Sequence, residues 1–499
     1  MISFTLTPAT AAASATFVEQ EAVNRGGGSP SFEHHVLLVG QYDTALTVTE
    51  NVPQLLSGVA DARDRYGSGS LLALMAEAAF SSGGGYQVSA LPIAAPSGGA
   101  AATATVTVTG TATGAGEVAI YIAGRRVAGA VASGATAVQI GTALVTAING
   151  DPRLPVTAAD TSPTPDGVVT LTAKWSGLTG NQIDVRTGLR ATDALPGGIS
   201  VALPAGNKLG SGAGVVDLTA GLAALGDTWY SEIVNPYDDS ATIGAIEATC
   251  RDRQAPGVKR MCVQVVGFTG TDSGYSNFLS ARNSEFTVVV PVLGSPTAAY
   301  EVSASFTGMW ARAHGTRPGV PVRGNRIPGV IAGEANDLTY NRRDQLVKQG
   351  GSHTYNLPDG GVTIGDTVTT RTETDTGVPT DDWRFAVIIP NLQFKINALD
   401  ITFSSAPFQQ AVVVADSAPP APTYAVRPNT VVAYALALVN DWSARGLTAD
   451  RDTVAGGVQA EIDSSNPGRV NLLIPDIPSA GLRILAAKVE WAFLVGGTN

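Results

Sequence analysis

Histidine is scarce in this chain, with four in 499 residues: His34, His35, His314 and His353. His34 and His35 are adjacent at the start of an apolar strand pattern. Neighbouring strand residues point to opposite faces, so the two cannot clamp one metal ion. Each histidine reads as a structural residue. No His-Glu-x-x-His stretch is present, and two lone cysteines, Cys250 and Cys262, make no zinc site. Two cysteines are no disulfide framework either; they could be free core thiols or a pair.

Other absences narrow the field further. There is no Gly-x-x-x-x-Gly-Lys-Ser/Thr loop, which excludes nucleotide hydrolysis by that route. The glycine-rich run 210–214 precedes a helix pattern but has the wrong spacing for a dinucleotide loop. It also follows a linker rather than a strand, and reads as a domain hinge. Only 15% of residues are charged, and net charge is −11 with a pI near 4.9. The densest basic clusters are the pairs Arg125-Arg126 and Arg342-Arg343. A nucleic-acid binder would show a basic face, so that class is set aside. The longest near-continuous apolar run, Val431 to Val439, is too short to span a bilayer. No basic residue precedes an apolar run at the start, so no signal peptide is expected. The expected site of synthesis and storage is the cytoplasm.

What is present is apolar and small. Hydrophobic content of 44% suffices for several cores, and 499 residues imply several domains. Ile2, Phe4 and Leu6 alternate with Ser3, Thr5 and Thr7, a strand with one apolar face. A stretch of small residues ending in Gly26-Gly27-Gly28 tethers it as a flexible arm. Strand His34–Gly40, helix Leu71–Phe80 and strand Tyr86–Leu91 open a parallel α/β sheet. From 94 to about 206 the texture turns to Thr, Ala, Gly and Val, with alternation at Thr103–Val108, Glu117–Ile122, Val168–Lys174 and Ile183–Arg186. One helix, Ala137–Ile148, interrupts these strands. Linkers at 96–99 and 206–212 mark this as a β-rich domain inserted into the α/β one.

The α/β pattern then resumes with helix Val216–Leu225, strand Ser231–Val234 and helix Ala241–Arg253. Strands Arg260–Val266 and Phe286–Pro291 and helix Ala298–His314 follow. Near the end come helix Thr430–Arg445, with Val431, Ala435, Leu438 and Trp442 on one face, and strands Val458–Ile462 and Arg469–Leu473. In the last stretch, 484–495, Ala487, Val489, Trp491, Phe493 and Val495 alternate with Lys488 and Glu490, a terminal strand.

The most organised segment is Asp337–Phe403. It predicts a charged helix Tyr340–Lys348 with Leu346 and Val347 as apolar contacts, stopped by Gly350-Gly351. A hairpin follows, made of His353–Tyr355, a Pro358-Asp359-Gly360-Gly361 turn and Val362–Ile364. A third strand is expected over Thr367–Thr374, then a helix beginning near Asp381-Asp382.

This order of elements, with Asn341-Arg342, Gln345-Leu346-Val347 and the Asp-Gly hairpin, resembles the C-terminal region of Mu-like contractile-tail sheath proteins. Three further stretches resemble the same family: Asp227–Tyr230 with Ile233–Asp239, Arg282–Ser284 with Phe286–Val290, and Tyr66–Met75. The resemblance implies a structural subunit of a contractile tail sheath. Such a subunit polymerises helically around a tail tube and contracts to drive the tube through a target envelope. The sheath of a phage-derived bacteriocin or contractile injection system is the closest alternative. A β-rich surface or carbohydrate-binding protein is a second, suggested by the Thr/Val/Gly-rich insert.

The implied architecture is α/β and α+β multidomain. Residues 1–30 form an N-terminal arm, and 31–93 with 207–334 a discontinuous subtilisin-like α/β core. Residues 94–206 form an inserted, outward-facing β-rich domain, 335–483 a C-terminal α+β domain facing the tube, and 484–499 a C-terminal strand arm. The implied partners are further copies of the chain, the tail tube protein, and baseplate and tail-terminator proteins. Neither nucleic acid nor direct membrane insertion is implied. The location is a virion tail assembled in the host cytoplasm.

The family's arms reach adjacent subunits and complete a shared sheet, which carries over to Ile2, Phe4 and Leu6 and to Val489, Trp491, Phe493 and Val495. Read from the residues alone, these ends could equally pair within their own subunit. The subtilisin-like fold invites a serine protease reading. A triad needs a histidine that can accept the serine proton, and His314 closes a helix with no nucleophile turn after it. No enzyme activity, cofactor or metal is expected.

Overall fold

A computed structural model describes residues 31–160, 167–419 and 424–491. The chain forms two compact units, residues 31–397 with the segment from 478 onward, and residues 398–477. Parallel and antiparallel sheets coexist with helices, so the class is mixed α/β.

The first unit opens with β1 (His35–Gly40), β2 (Gln54–Leu55), α1 (Val59–Tyr66), α2 (Leu71–Phe80) and β3 (Gln87–Pro92). Ser70 caps α2 by accepting from the Ala73 N–H at 3.2 Å. Seven of the ten α2 residues, Leu71 to Ala76 and Ala79, are buried. The β1 and β3 strands pair in parallel, as their order around a helix predicts.

The sequence between β3 and the next strand of this sheet builds two small sheets. Its elements are β4 (Ala101–Gly110), β5 (Gly116–Ile122), β6 (Arg125–Val131), α3 (Ala137–Gly150), β7 (Val156–Ala159), β8 (Val168–Ser176), β9 (Val185–Arg186) and β10 (Ile199–Ala202). The sheet orders are β10-β4-β8-β7 and β6-β5-β9. Strand β8 alternates strictly, burying Val169, Leu171, Ala173 and Trp175. The α3 helix begins in a reciprocal capping box between Thr136 and Gln139. Residues 206–214, expected as linker and hinge, run paired instead. Gly210 and Thr103 exchange backbone hydrogen bonds at 2.9 and 2.8 Å, and Ala213 bridges Ala100. A glycine-rich stretch beside an open strand edge satisfies its own amides there.

The chain then returns through α4 (Thr219–Ala223), β11 (Glu232–Asn235), α5 (Ser240–Gln254), β12 (Val263–Phe268), α6 (Asp272–Ser280), β13 (Thr287–Pro291) and α7 (Ala299–Thr316). Strand order in the main sheet is β13-β12-β11-β1-β3-β2, parallel except for the edge strand β2. Strands β11 and β13 are buried along their whole length, and β1, β3 and β12 at all but one residue, which is why they read as apolar runs. The expected helix over 216–225 shrinks to α4, ahead of which the Thr219 N–H donates to Asp217 Oδ1 at 2.9 Å. Helix α6 is not legible as an apolar periodicity. Its Ser- and Gly-rich sequence is held by the Thr271 cap and by buried Tyr275 and Leu279, four residues apart.

Gly267 lies where β12 passes under α7. A Cβ there would sit 1.9 Å from the Ala299 carbonyl oxygen. Gly267→Ala is therefore expected to lower stability by about 3 kcal/mol, since backbone rather than a side chain must move. Urea denaturation of the variant against the parent checks this.

The first unit ends with β14 (Arg326–Ile327), α8 (Tyr340–Lys348), β15 (Thr354–Asn356), β16 (Val362–Ile364) and the start of α9 (Ile388–Phe403). Helix α8 and the hairpin fall where expected. Leu346 and Val347 are buried, and Gly350 takes φ +77° against the Thr370 backbone. Two expectations fail. The third strand of the small sheet is β14, not 367–374. Residues 367–374 run beside β13, where Thr370 N–H donates to the Thr287 carbonyl at 3.0 Å and Thr369 bridges Val288. The helix expected at Asp381-Asp382 begins at Ile388. Asp381 closes a turn by pairing with Arg384 at 2.9 Å, and Pro390 fits only a helix's first turn.

The second unit holds α10 (Ala406–Gln409), β17 (Val412–Val413), β18 (Ala425–Val426), α11 (Pro428–Ala444), α12 (Arg451–Gly457), β19 (Gln459–Ile462) and β20 (Val470–Leu473). Strands β17 and β18 pair in parallel and β19 with β20 as a hairpin. Helix α11 starts on Pro428 and buries Val431, Ala435, Leu438 and Trp442, the face read from the sequence.

Candidate assembly site

The apolar side chains that find no core are concentrated at one end of the described chain. Leu482, Ile484, Leu485, Val489 and Trp491 are 73–83% exposed. Single exposed apolar residues are ordinary, but five within ten positions are not. Residues 484–490 lie in neither helix nor strand, so that part of the strand expected over 484–495 is not formed within the chain. Lys488 and Glu490 form an ion pair. Partners two residues apart share a face of an extended chain, which leaves Val489 and Trp491 on the other. The other expected strand residues, Ile2, Phe4, Leu6, Phe493 and Val495, lie outside the described residues.

The root of this segment is fixed. Arg483 Nε donates to Asp366 Oδ1 at 3.1 Å, and its guanidinium lies 3.7 Å from the centre of the Phe385 ring. Arg323 Nη1 donates to the Arg483 carbonyl at 3.0 Å. Gly481 packs so closely on Pro321 that a Cβ would lie 2.1 Å from the ring. Together with Trp310, Val322 and Ile388 these groups border a cavity of about 750 Å³. The segment is thus clamped at 481–483, with Ile484, Leu485 and Val489 exposed beyond the clamp. Sequence reasoning missed the clamp. The available signal was a lone arginine inside Gly-Leu-Arg-Ile-Leu, a charge that such a run leaves needing a partner.

The buried histidines form the other polar concentration. His34 Nδ1 meets Glu232 Oε1 at 2.7 Å, and Ser231 Oγ donates to Glu232 Oε2 at 2.6 Å. All three are fully buried. The serine therefore bonds the carboxylate and not the imidazole, and no solvent or substrate reaches it. His35 faces elsewhere, toward Ser89 Oγ at 2.8 Å and the Tyr230 ring. His314 packs edge-on to Trp310, 6.4 Å from the His34 ring, with neither ring nitrogen hydrogen-bonded. Burial, reinforced by His34, pushes its pKa down to about 3. The two cysteines are free buried thiols with sulfurs 2.9 Å apart, and burial and then Cys262 push the Cys250 thiol up. Among the described residues no three His, Cys, Asp or Glu side chains gather as a metal site. No helix among them is long and apolar enough to cross a membrane.

Comparison with known proteins extends the resemblance read from short stretches. No protein-family profile matches the chain. A Mu-like prophage tail sheath protein (FluMu) of Haemophilus influenzae is 25% identical over 492 residues, covering 98% of this chain and 99% of the relative. The chain resembles the Mu-like tail sheath proteins from end to end. The fold of this sheath-like chain agrees. A crystal structure of a sheath tail protein from Desulfitobacterium hafniense superposes with a TM-score of 0.50 at 13% identity, covering 94% of this chain and 97% of that one. The superposition thus takes in most of both chains and supports a shared fold.

Proposed function

We propose that this chain is the structural subunit of a contractile tail sheath. It polymerises helically around a tail tube and contracts to drive the tube through a target envelope. The observation that carries this reading is the run of exposed apolar side chains around the clamp at 481–483, on a chain that resembles tail sheath proteins from end to end. An exposed strand edge seeks a sheet in another chain, and main-chain hydrogen bonds survive rotation of the domains they link. In this reading Ile2, Phe4, Leu6, Val489, Trp491, Phe493 and Val495 are the intersubunit strand residues.

The main sheet with its helices is the subtilisin-like core, residues 31–93 and 207–334. Residues 94–206 are the inserted outward-facing domain, 335–483 the C-terminal domain facing the tube, and 1–30 and 484–499 the arms. The drive is the better-packed contracted lattice, so the subunit needs no nucleotide, metal or catalytic group. Its partners are its own copies, the tube, and the baseplate and terminator proteins. Its place is the tail of a virion assembled in the host cytoplasm. The sheath of a bacteriocin or injection system would use the same mechanics.

Negative-stain electron microscopy of the chain expressed without tube or baseplate is the direct test. Hollow cylinders with a regular helical lattice are the expected result. Monomers that stay dispersed even with purified tube protein would count against the proposal.

A further inference from the structure

A second cavity, of about 520 Å³, shares Arg323, Asp366 and Arg483 with the first. It is bordered by Arg323, Arg343 and Arg483, by His353 and Tyr355, and by the exposed Leu482, Ile484 and Leu485. The carboxylates nearby are already engaged. Asp366 pairs with Arg483, and Asp344, also on the border, pairs with Lys348 at 2.7 Å. Arg323 and Arg343 have no carboxylate partner among the described residues. The former is held by the Arg483 carbonyl and the latter by the Leu338 carbonyl and the Tyr355 ring at 4.7 Å. His353 is buried, with Nε2 on Tyr355 Oη at 3.1 Å and Nδ1 without a partner. Burial brings its pKa to about 4; Asp366 opposes this, while Arg343, Arg323 and Arg483 add to it. All three guanidiniums therefore act on one small volume.

Convergent cations with unspent donors select an anion, and the planar forks of arginine suit a carboxylate. The chain as a whole carries net charge −11, so a second copy brings carboxylates in excess. The cavity wall is the root of the very segment released toward a second copy in the proposed sheath. We infer that this cavity receives an Asp or Glu side chain of a neighbouring copy, between Arg323 and Arg343, and so locks the arm root when the lattice forms. The inference rests on the sheath reading and adds to it a specific electrostatic latch.

The test compares full-length Arg323→Glu/Arg343→Glu, Arg323→Lys/Arg343→Lys and a chain lacking residues 485–499, by sedimentation and electron microscopy. Charge reversal is expected to cut the assembled fraction about tenfold or more in low salt, because like charges then meet at the contact. The parent chain's assembly is expected to weaken from about 50 to 500 mM salt, as an exposed-rim ion pair should. Wild-type assembly by the charge-reversed chain overturns the inference, while the sheath reading stands provided the truncated chain fails to assemble. Assembly by the truncated chain would instead count against the strand-arm reading. If charge reversal prevents folding, the lysine pair decides: reduced assembly supports the latch and undiminished assembly overturns it. Inorganic phosphate binding to the parent monomer that is lost on charge reversal without any change in assembly would mark a small-anion site and likewise overturn it.

Discussion

Deleting residues 485–499 is expected to abolish self-assembly and leave the monomer as stable as the parent. The removed side chains Leu485 and Val489 are 82–83% exposed and add almost nothing to the chain's own core. The clamp stays, because Arg483, Asp366, Phe385 and Arg323 all precede the cut. Thermal melting should therefore move by no more than about 2 °C. Polymerisation should vanish, since an unpaired strand loses every main-chain hydrogen bond it would donate to a neighbour. Removing residues 1–8, with Ile2, Phe4 and Leu6, is expected to act the same way. Sedimentation velocity reports both monomer integrity and polymer loss. Normal tubes from either truncated chain would sink the arm hypothesis for that end.

Acid is expected to unfold the monomer sooner than its carboxylates alone would require, with His314 the main cause. Its folded pKa is about 3 against an ordinary 6.5. The unfolded chain takes up the proton as pH falls through 6.5, while the folded chain refuses it until about 3. Stability is therefore intact above about pH 7 and falls between those limits, by up to about 1.4 kcal/mol per pH unit. At pH 4.5 the loss from this residue is about 2.5 kcal/mol. His353, held down to about 4, adds a second loss over 6.5 to 4. Buried Glu301 and Asp184, and the exposed Asp238, act oppositely. Desolvation raises their carboxyls, and they hold protons more tightly in the folded chain. Comparing His314→Leu with the parent cancels those groups. Urea denaturation from pH 7.5 to 4.5 should show a flatter stability profile for the variant. Parallel profiles would mean that His314 accepts a proton in the folded state.

The release of the C-terminal segment and the refusal of protons by His314 have different legibility. Alternation of Val489 and Trp491 with Lys488 and Glu490 is a local pattern, carried by residues that are neighbours along the chain. The same holds for α2, α8 and α11, whose caps, glycine stops and apolar stripes lie within a few residues of one another. The resemblance to sheath proteins was carried by similarly local runs. By contrast, His314 and His34 are 280 positions apart, and only the packing of α7 against the sheet brings their rings to 6.4 Å.

Composition and short patterns fix the class of the chain: apolar enough for several cores, acidic, poor in histidine and cysteine, with a parallel sheet signalled by apolar strand runs. Those features depend on composition and short-range periodicity, which each segment carries alone. Only the tertiary structure decided where segments without a strong local preference settle. Residues 367–374 left the hairpin for the edge of β13 because open main-chain groups were available there. The 206–214 stretch paired with the insert for the same reason. Arg483 found Asp366, 117 positions away, because a charge in an apolar run must be satisfied wherever the fold brings a partner.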